Sequence, residues 1–168
     1  MRKPQQVIFT SFIMTLLVLG AAGCSHNKPK AEETATDPGI NSALDHSDFG
    51  SSDEGKAFGL KTVFFAYDAS DLNSATQGDL KKNSDILKAH SNLKIQIEGH
   101  CDERGGVQYN MALGEHRARA VMDYLVGQGV PAANLSIISF GKEKPLVSGD
   151  TEEAYAKNRR ANFAIIEK

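Results

Sequence analysis

Leu93-Lys94-Ile95-Gln96-Ile97-Glu98-Gly99-His100-Cys101-Asp102-Glu103-Arg104-Gly105-Gly106 begins with apolar residues at alternate positions and ends in a polar turn. The alternation predicts a half-buried strand over 93–99. Beyond the turn, a long helix is expected from about Tyr109 or Asn110 to Gln128, with Gly129 and Pro131 to stop it. A polar cluster at the carboxyl end of a strand, facing the start of a helix, is where α/β sheets bind ligands.

Two arginines on that helix fall on different faces. Ala118, Val121, Met122 and Leu125 recur at helical spacing and mark the buried side. Arg119 stands two positions before Val121, so it should be solvated. Arg117 lies one turn before Val121 and one turn after Leu113. It is expected at the margin of the buried face, its stem packed and its guanidinium free to reach the turn at Asp102. An arginine in that position can equally be a structural ion pair.

The rest of the chain supplies the other elements. Thr62-Val63-Phe64-Phe65-Ala66-Tyr67 is a strand rich in aromatic and β-branched residues, closed by Asp68. Ser74-Ala75-Thr76-Gln77 has the form of a capping box that opens a helix to about Ala89, with Leu80 and Leu87 inward. Ser136 to Phe140 predicts a third strand, Asp150-Thr151-Glu152-Glu153 a helix start, and Arg160 to Ile166 a last strand. The order is β-α-β-α-β-α-β, an α/β sandwich with a mixed four-stranded sheet. Right-handed crossovers would bring Asp68 and Asp102 to one edge of that sheet.

The amino-terminal third reads differently. Arg2 and Lys3 precede an uncharged apolar run from Val7 to Ala22, shorter than a comfortable membrane span of about 20 residues. Gly20-Ala21-Ala22-Gly23 then leads into Cys24, so residues 1–23 read as a secretory signal, and small residues abutting a cysteine resemble a lipoprotein box. Residues 24–59 are expected to be a lipidated cysteine followed by a disordered tether, because their polar composition cannot offset the entropy of ordering. Such a tether spans on the order of 30–35 Å on average and roughly 115 Å when extended. Residues 60–168 then form the folded domain. The formal net charge of −2 argues against nucleic acid as the main partner.

Gly99-His100-Cys101-Asp102-Glu103-Arg104-Gly105, Tyr109-Asn110, Leu113-Gly114-Glu115, Arg117-Ala118 and Leu125 together resemble the OmpA-like peptidoglycan-binding domain family, and within it the lipoproteins of Tol–Pal systems. Ser139-Phe140-Gly141-Lys142-Glu143-Lys144-Pro145 and Asn158-Arg159-Arg160-Ala161 extend the likeness, which covers roughly residues 61–168. Two departures stand out. Cys101 replaces the family's usual small residue, and Gly106-Val107-Gln108 replaces its more usual Thr-Pro-Glu. The resemblance implies that Asp102 and Arg117 hold the diaminopimelate of a peptidoglycan stem peptide, with Asp68 and Leu113 as further contacts. It also implies an outer-membrane lipoprotein with its domain in the periplasm and a TolB-type β-propeller as second partner.

The residue chemistry agrees with binding. Asp68 and Asp102 are acceptors, Arg117 is a bidentate donor, and Leu113 and Tyr67 offer apolar walls for a ligand end carrying an ammonium and a carboxylate. Arg104 either shapes the turn or touches the peptide, and Asn110 supports the helix start through its amide. A murein-cleaving enzyme would use Asp68 and Asp102 as an acid–base pair, but a neighbouring arginine holds carboxylates ionised and removes the acid. A metal-binding periplasmic protein fares no better. His100 to Glu103 are consecutive and cannot converge on one ion, while His26, His46, His90 and His116 are scattered. No enzyme activity, metal or cofactor is expected beyond the covalent lipid on Cys24. Cys101 reads as a small buried residue.

Overall fold

The computed structural model describes residues 49–168. The expected signal segment, Cys24 and most of the expected tether lie outside them. Seven principal elements follow in the expected order: β1 (Val63–Phe64), α1 (Ser74–Ala89), β2 (Lys94–His100), α2 (Val107–Gly127), β3 (Leu135–Gly141), α3 (Glu152–Asn158) and β4 (Arg160–Glu167). The sheet order is β1-β4-β2-β3, with β2 and β3 parallel and β4 antiparallel to both its neighbours. It is the mixed four-stranded sheet that the sequence predicts. Among the described residues no helix is long and apolar enough to cross a membrane.

Alternation decides which sheet face is covered. Ile95 and Ile97 of β2 pair in register with Ile165 and Phe163 of β4, and all four are fully buried. Val121 and Leu125 of α2 and Leu80 of α1 close over this apolar face. Each such side chain contributes about 1.5–3 kcal/mol on burial.

Helix α2 comes unusually close to the sheet because two glycines meet where they cross. A Cβ on Gly99 would lie 1.8 Å from the carbonyl oxygen of Gly114, and one on Gly114 would lie 2.3 Å from Ser139 Oγ. The backbones therefore touch at the end of β2, directly before the polar turn. This contact fixes where the side chains of α2 meet that turn.

Three expectations need correction. The first strand is two residues long, not six. Phe65 N–H makes one more bond in register, to Arg159 O (2.9 Å), and beyond it the chain leaves the ladder, the carbonyls of Ala66 and Ala69 accepting from Arg117. Helix α1 is capped by Asn73, whose side chain accepts from Thr76 N–H (2.9 Å), and Gln77 donates to Leu72 O instead of closing a box. The folded region also begins before residue 60. Ser51 bridges Ala164, Ser52 N–H donates to Phe163 O (2.9 Å), Ile165 N–H donates to Gly50 O (3.2 Å), and Ala57 is buried in the core. This segment has few apolar residues. It is held by backbone bonds along the side of β4 that the short β1 leaves open, and by the buried Asp53–Arg160 pair (2.8 Å).

The glycine crossing can be tested against a helical glycine that touches nothing. Gly99→Ala should destabilise the domain by about 3 kcal/mol or more, because backbone atoms must move. Gly78→Ala, on the open face of α1, should stabilise it by about 0.5–1 kcal/mol. Urea unfolding midpoints give both values, and an unchanged midpoint for Gly99→Ala would contradict the close approach.

Candidate functional site

A cavity of about 200 Å³ opens where the carboxyl ends of β1 and β2 meet the first turns of α2. Tyr67 and Asp68 reach it from the end of β1, Asp102 and Arg104 from the turn after β2, and Asn110, Leu113 and Arg117 from successive turns of α2. All seven residues singled out in the sequence line it. So do Tyr109, Cys101 and Arg159, for which the sequence predicts no part in the site.

Asp102 is almost fully buried and held by two arginines. Arg104 meets it through Nη2 to Oδ2 (2.6 Å), Nε to Oδ1 (3.2 Å) and its own backbone N–H (3.2 Å). Arg159 Nη1 reaches Oδ2 from the opposite side (3.2 Å). Burial alone would raise the carboxyl pKa. The bonds from Arg104 and Arg159 outweigh it and hold Asp102 below the usual carboxylate range. Glu152, at the start of α3, accepts from Arg159 Nη2 (2.8 Å) and Arg104 Nη1 (3.4 Å). The four groups form a closed ring of two anions and two cations. The Arg104 guanidinium is also sandwiched between the rings of Tyr67 (4.2 Å) and Tyr155 (4.3 Å), so its position is fixed by stacking as well as charge.

Arg117 departs from expectation in depth and partners. It is fully buried instead of marginal, and its guanidinium does not close on Asp102. Nε donates to Ala69 O (2.8 Å), Nη1 to His100 O (2.9 Å) and Nη2 to Ala66 O (3.2 Å). Asp102 is already occupied by Arg104 and Arg159, so the carbonyls around the cavity take the guanidinium instead. Of its five N–H groups three go to these carbonyls, and the Cys101 thiol also lies within hydrogen-bonding reach of the guanidinium. Burial lowers its pKa, yet an arginine stays charged. Arg119, by contrast, is exposed and pairs with Glu115 (2.8 Å), as its helical phase predicts.

The remaining lining residues shape the opening. Asp68 adopts a left-handed backbone (φ 54°), tolerable for aspartate, and its carboxylate accepts from the Tyr109 hydroxyl. Asn110 donates to Arg104 O (2.7 Å) and Gly106 O (3.2 Å), so its buried amide closes the turn into α2. Gly106 caps that helix without a side-chain bond, and α2 therefore begins at Val107, slightly before the expected start. The Cys101 thiol donates to Asn110 O (3.3 Å), and burial pushes its pKa up, which keeps it unreactive. No group of three His, Cys, Asp or Glu side chains able to hold a metal occurs among the described residues.

Arg159 was visible only as part of a motif. It has no place in an apolar period, and its role depends on a turn 57 residues away. The one available signal is a pair of arginines where a strongly apolar strand begins.

The ion pairs at Asp102 have a pH signature. A carboxyl whose folded pKa lies below its unfolded value stabilises above the unfolded value, about 4, and loses that contribution as pH falls through the folded value. Asp102→Asn should lower stability at pH 7 and flatten the loss as pH falls from 7 to below about 4. Urea unfolding at both ends of that range checks it, and an unchanged slope would mean that Asp102 is not held ionised by its arginines.

Comparison with known proteins agrees with this geometry. Residues 64–159 match the OmpA family. The peptidoglycan-associated lipoprotein of Pseudomonas aeruginosa is 39% identical, the match covering 89% of this chain and 92% of that protein. The protein of the same name from Haemophilus influenzae is 38% identical, covering 91% and 97%. The crystal structure of the peptidoglycan-associated lipoprotein from Burkholderia pseudomallei superimposes with a TM-score of 0.60 at 39% identity, covering 62% of this chain and 88% of that one. With this fold, this sequence likeness and this length of agreement, the chain belongs to the OmpA family and, within it, to the peptidoglycan-associated lipoproteins.

Proposed function

We propose that the domain binds peptidoglycan without cleaving it, taking the diaminopimelate end of a stem peptide into the cavity at Asp68, Asp102, Leu113 and Arg117. The observation that carries this reading is the distribution of charge. Asp102, Glu152, Arg104 and Arg159 neutralise one another in a ring. Arg117 is left with carbonyl partners, and Asp68 with a hydroxyl, so one cation and one anion lining the cavity have no ion-pair partner among the described residues. A ligand end that carries an ammonium and a carboxylate on one carbon supplies the opposite of each. Leu113 gives the apolar wall. Arg104, Tyr67 and Asn110 hold the shape. Asp102, locked by two arginines, has no proton to give, which fits binding and opposes acid catalysis.

We propose a wider role that the family and the sequence support. Cys24 carries a lipid in the outer membrane, the segment after it spans to the wall, and the domain sits in the periplasm as a tether of Tol–Pal type. A TolB-type β-propeller is the second partner and competes for the cavity face. Acylated amino-terminal Cys24 in the mass spectrum of the mature protein would support the anchor, and an uncleaved leader would contradict it. Stable anchoring needs at least two acyl chains.

Co-sedimentation with purified sacculi tests the binding site. Arg117→Ala is a poor probe, since it strips three carbonyls of their partner and should unfold the cavity. Asp68→Asn keeps shape and backbone preference. Loss of a charge-assisted bond of about 1.5–3 kcal/mol predicts at least 10-fold weaker binding. Arg119→Ala should stay within about twofold, because its exposed pair contributes under about 1 kcal/mol. Equal effects of the two variants, or release of soluble wall fragments, would overturn the reading. A TolB-type protein should displace the domain from the sacculi.

A further inference from the structure

Strand β3 is the outer strand of the sheet, bonded to β2 on one side only. Alternate N–H and C=O groups on its other side therefore point away from the sheet. Native sheets protect such an edge with lysine, proline, a bulge or a very short strand. The opposite edge is protected in the last way, β1 being two residues long. Leu135-Ser136-Ile137-Ile138-Ser139-Phe140-Gly141 carries neither charge nor proline, and although its register against β2 slips at Phe140, Leu135 to Ser139 pair regularly and leave a flat edge. Ile138 is 36% exposed. Beside it runs an open groove between β3 and α2, floored by Met111, Ala112 and Ile137, with Glu115 and Arg119 on its rim.

We propose that a second copy of this chain docks on this edge, β3 pairing antiparallel with β3 across a two-fold axis so that the two sheets join. Antiparallel pairing of a strand with itself is self-complementary, as a two-fold interface requires. The rim charges choose this occupant over an unrelated strand. Glu115 and Arg119 lie one turn apart on α2, with side chains 56% and 54% exposed, and bond to each other across open solvent. A two-fold axis through the β3 seam reverses the direction of the neighbouring α2. It sets Glu115 of one copy against Arg119 of the other, twice. The internal bond is weak enough to be shared in this way. The edge lies outside the diaminopimelate cavity, so neither proposal depends on the other.

Sedimentation velocity on the mature chain with Cys24→Ser, which removes leader and lipid, from roughly 1 µM to 1 mM, reads the outcome. The expected result is a concentration-dependent dimer, with Ile138→Lys weakening association at least 10-fold. Glu115→Arg alone and Arg119→Glu alone should each weaken it, and the double exchange should restore it to within about twofold. All are surface changes, and circular dichroism would verify folding. A monomer throughout, a complex other than two copies, or association indifferent to Ile138→Lys would overturn the proposal. Failure of the double exchange to restore pairing would overturn its two-fold geometry.

Discussion

One buried guanidinium holds the candidate site together. Arg117 rises from α2 into a space bounded by the ends of two strands and ties down three carbonyls, those of Ala66, Ala69 and His100. Each carbonyl buried without a partner would cost about 1–3 kcal/mol. With them satisfied, the chain can leave β1 early and turn through Asp68. The Gly99–Gly114 contact brings α2 close enough for this reach. The shortness of β1, the placement of Asp68 and the opening of the cavity therefore share one cause.

Around that post the charges sort into two classes. The ring of Asp102, Arg104, Arg159 and Glu152 is self-satisfied and links the turn after β2 to the start of α3 and the start of β4. Arg117 and Asp68 are not part of it. A neutral frame with one unmatched charge of each sign is the basis on which we propose a zwitterion, not a simple anion or cation, as the ligand. It also leaves no titrating group poised for proton transfer at Asp102, whose arginines keep it ionised.

Much of this was legible in the sequence, for reasons that differ between elements. β2 alternates, β4 is an apolar run, and α2 carries a helical apolar period with glycine and proline stops, so their positions follow from local pattern. The depth of Arg117 did not. Helical phase places it near the buried face, but the general exclusion of arginine from interiors moves it to the margin, and the three carbonyls that bring it inside come from positions 17 to 51 residues away. Residues 50–59 were hidden for a related reason. Their composition is that of a tether, and they fold because β4 offers backbone partners and Arg160 offers a charge to Asp53. Arg159 illustrates the same limit, since an ion pair across distant turns leaves no periodic trace.

We propose that the two unmatched charges recognise a zwitterionic end. Calorimetric titration with stem peptides that differ only at that residue measures it directly. Lysine keeps an ammonium but lacks the second carboxylate of diaminopimelate, so Arg117 would stay buried with no anion to meet. A site built around a polar group rejects an analogue lacking it strongly. At a cost of roughly 2–4 kcal/mol, the lysine peptide should bind about 30- to 1,000-fold more weakly than the diaminopimelate peptide. Equal affinity for the two would contradict the account and leave Arg117 a purely structural post.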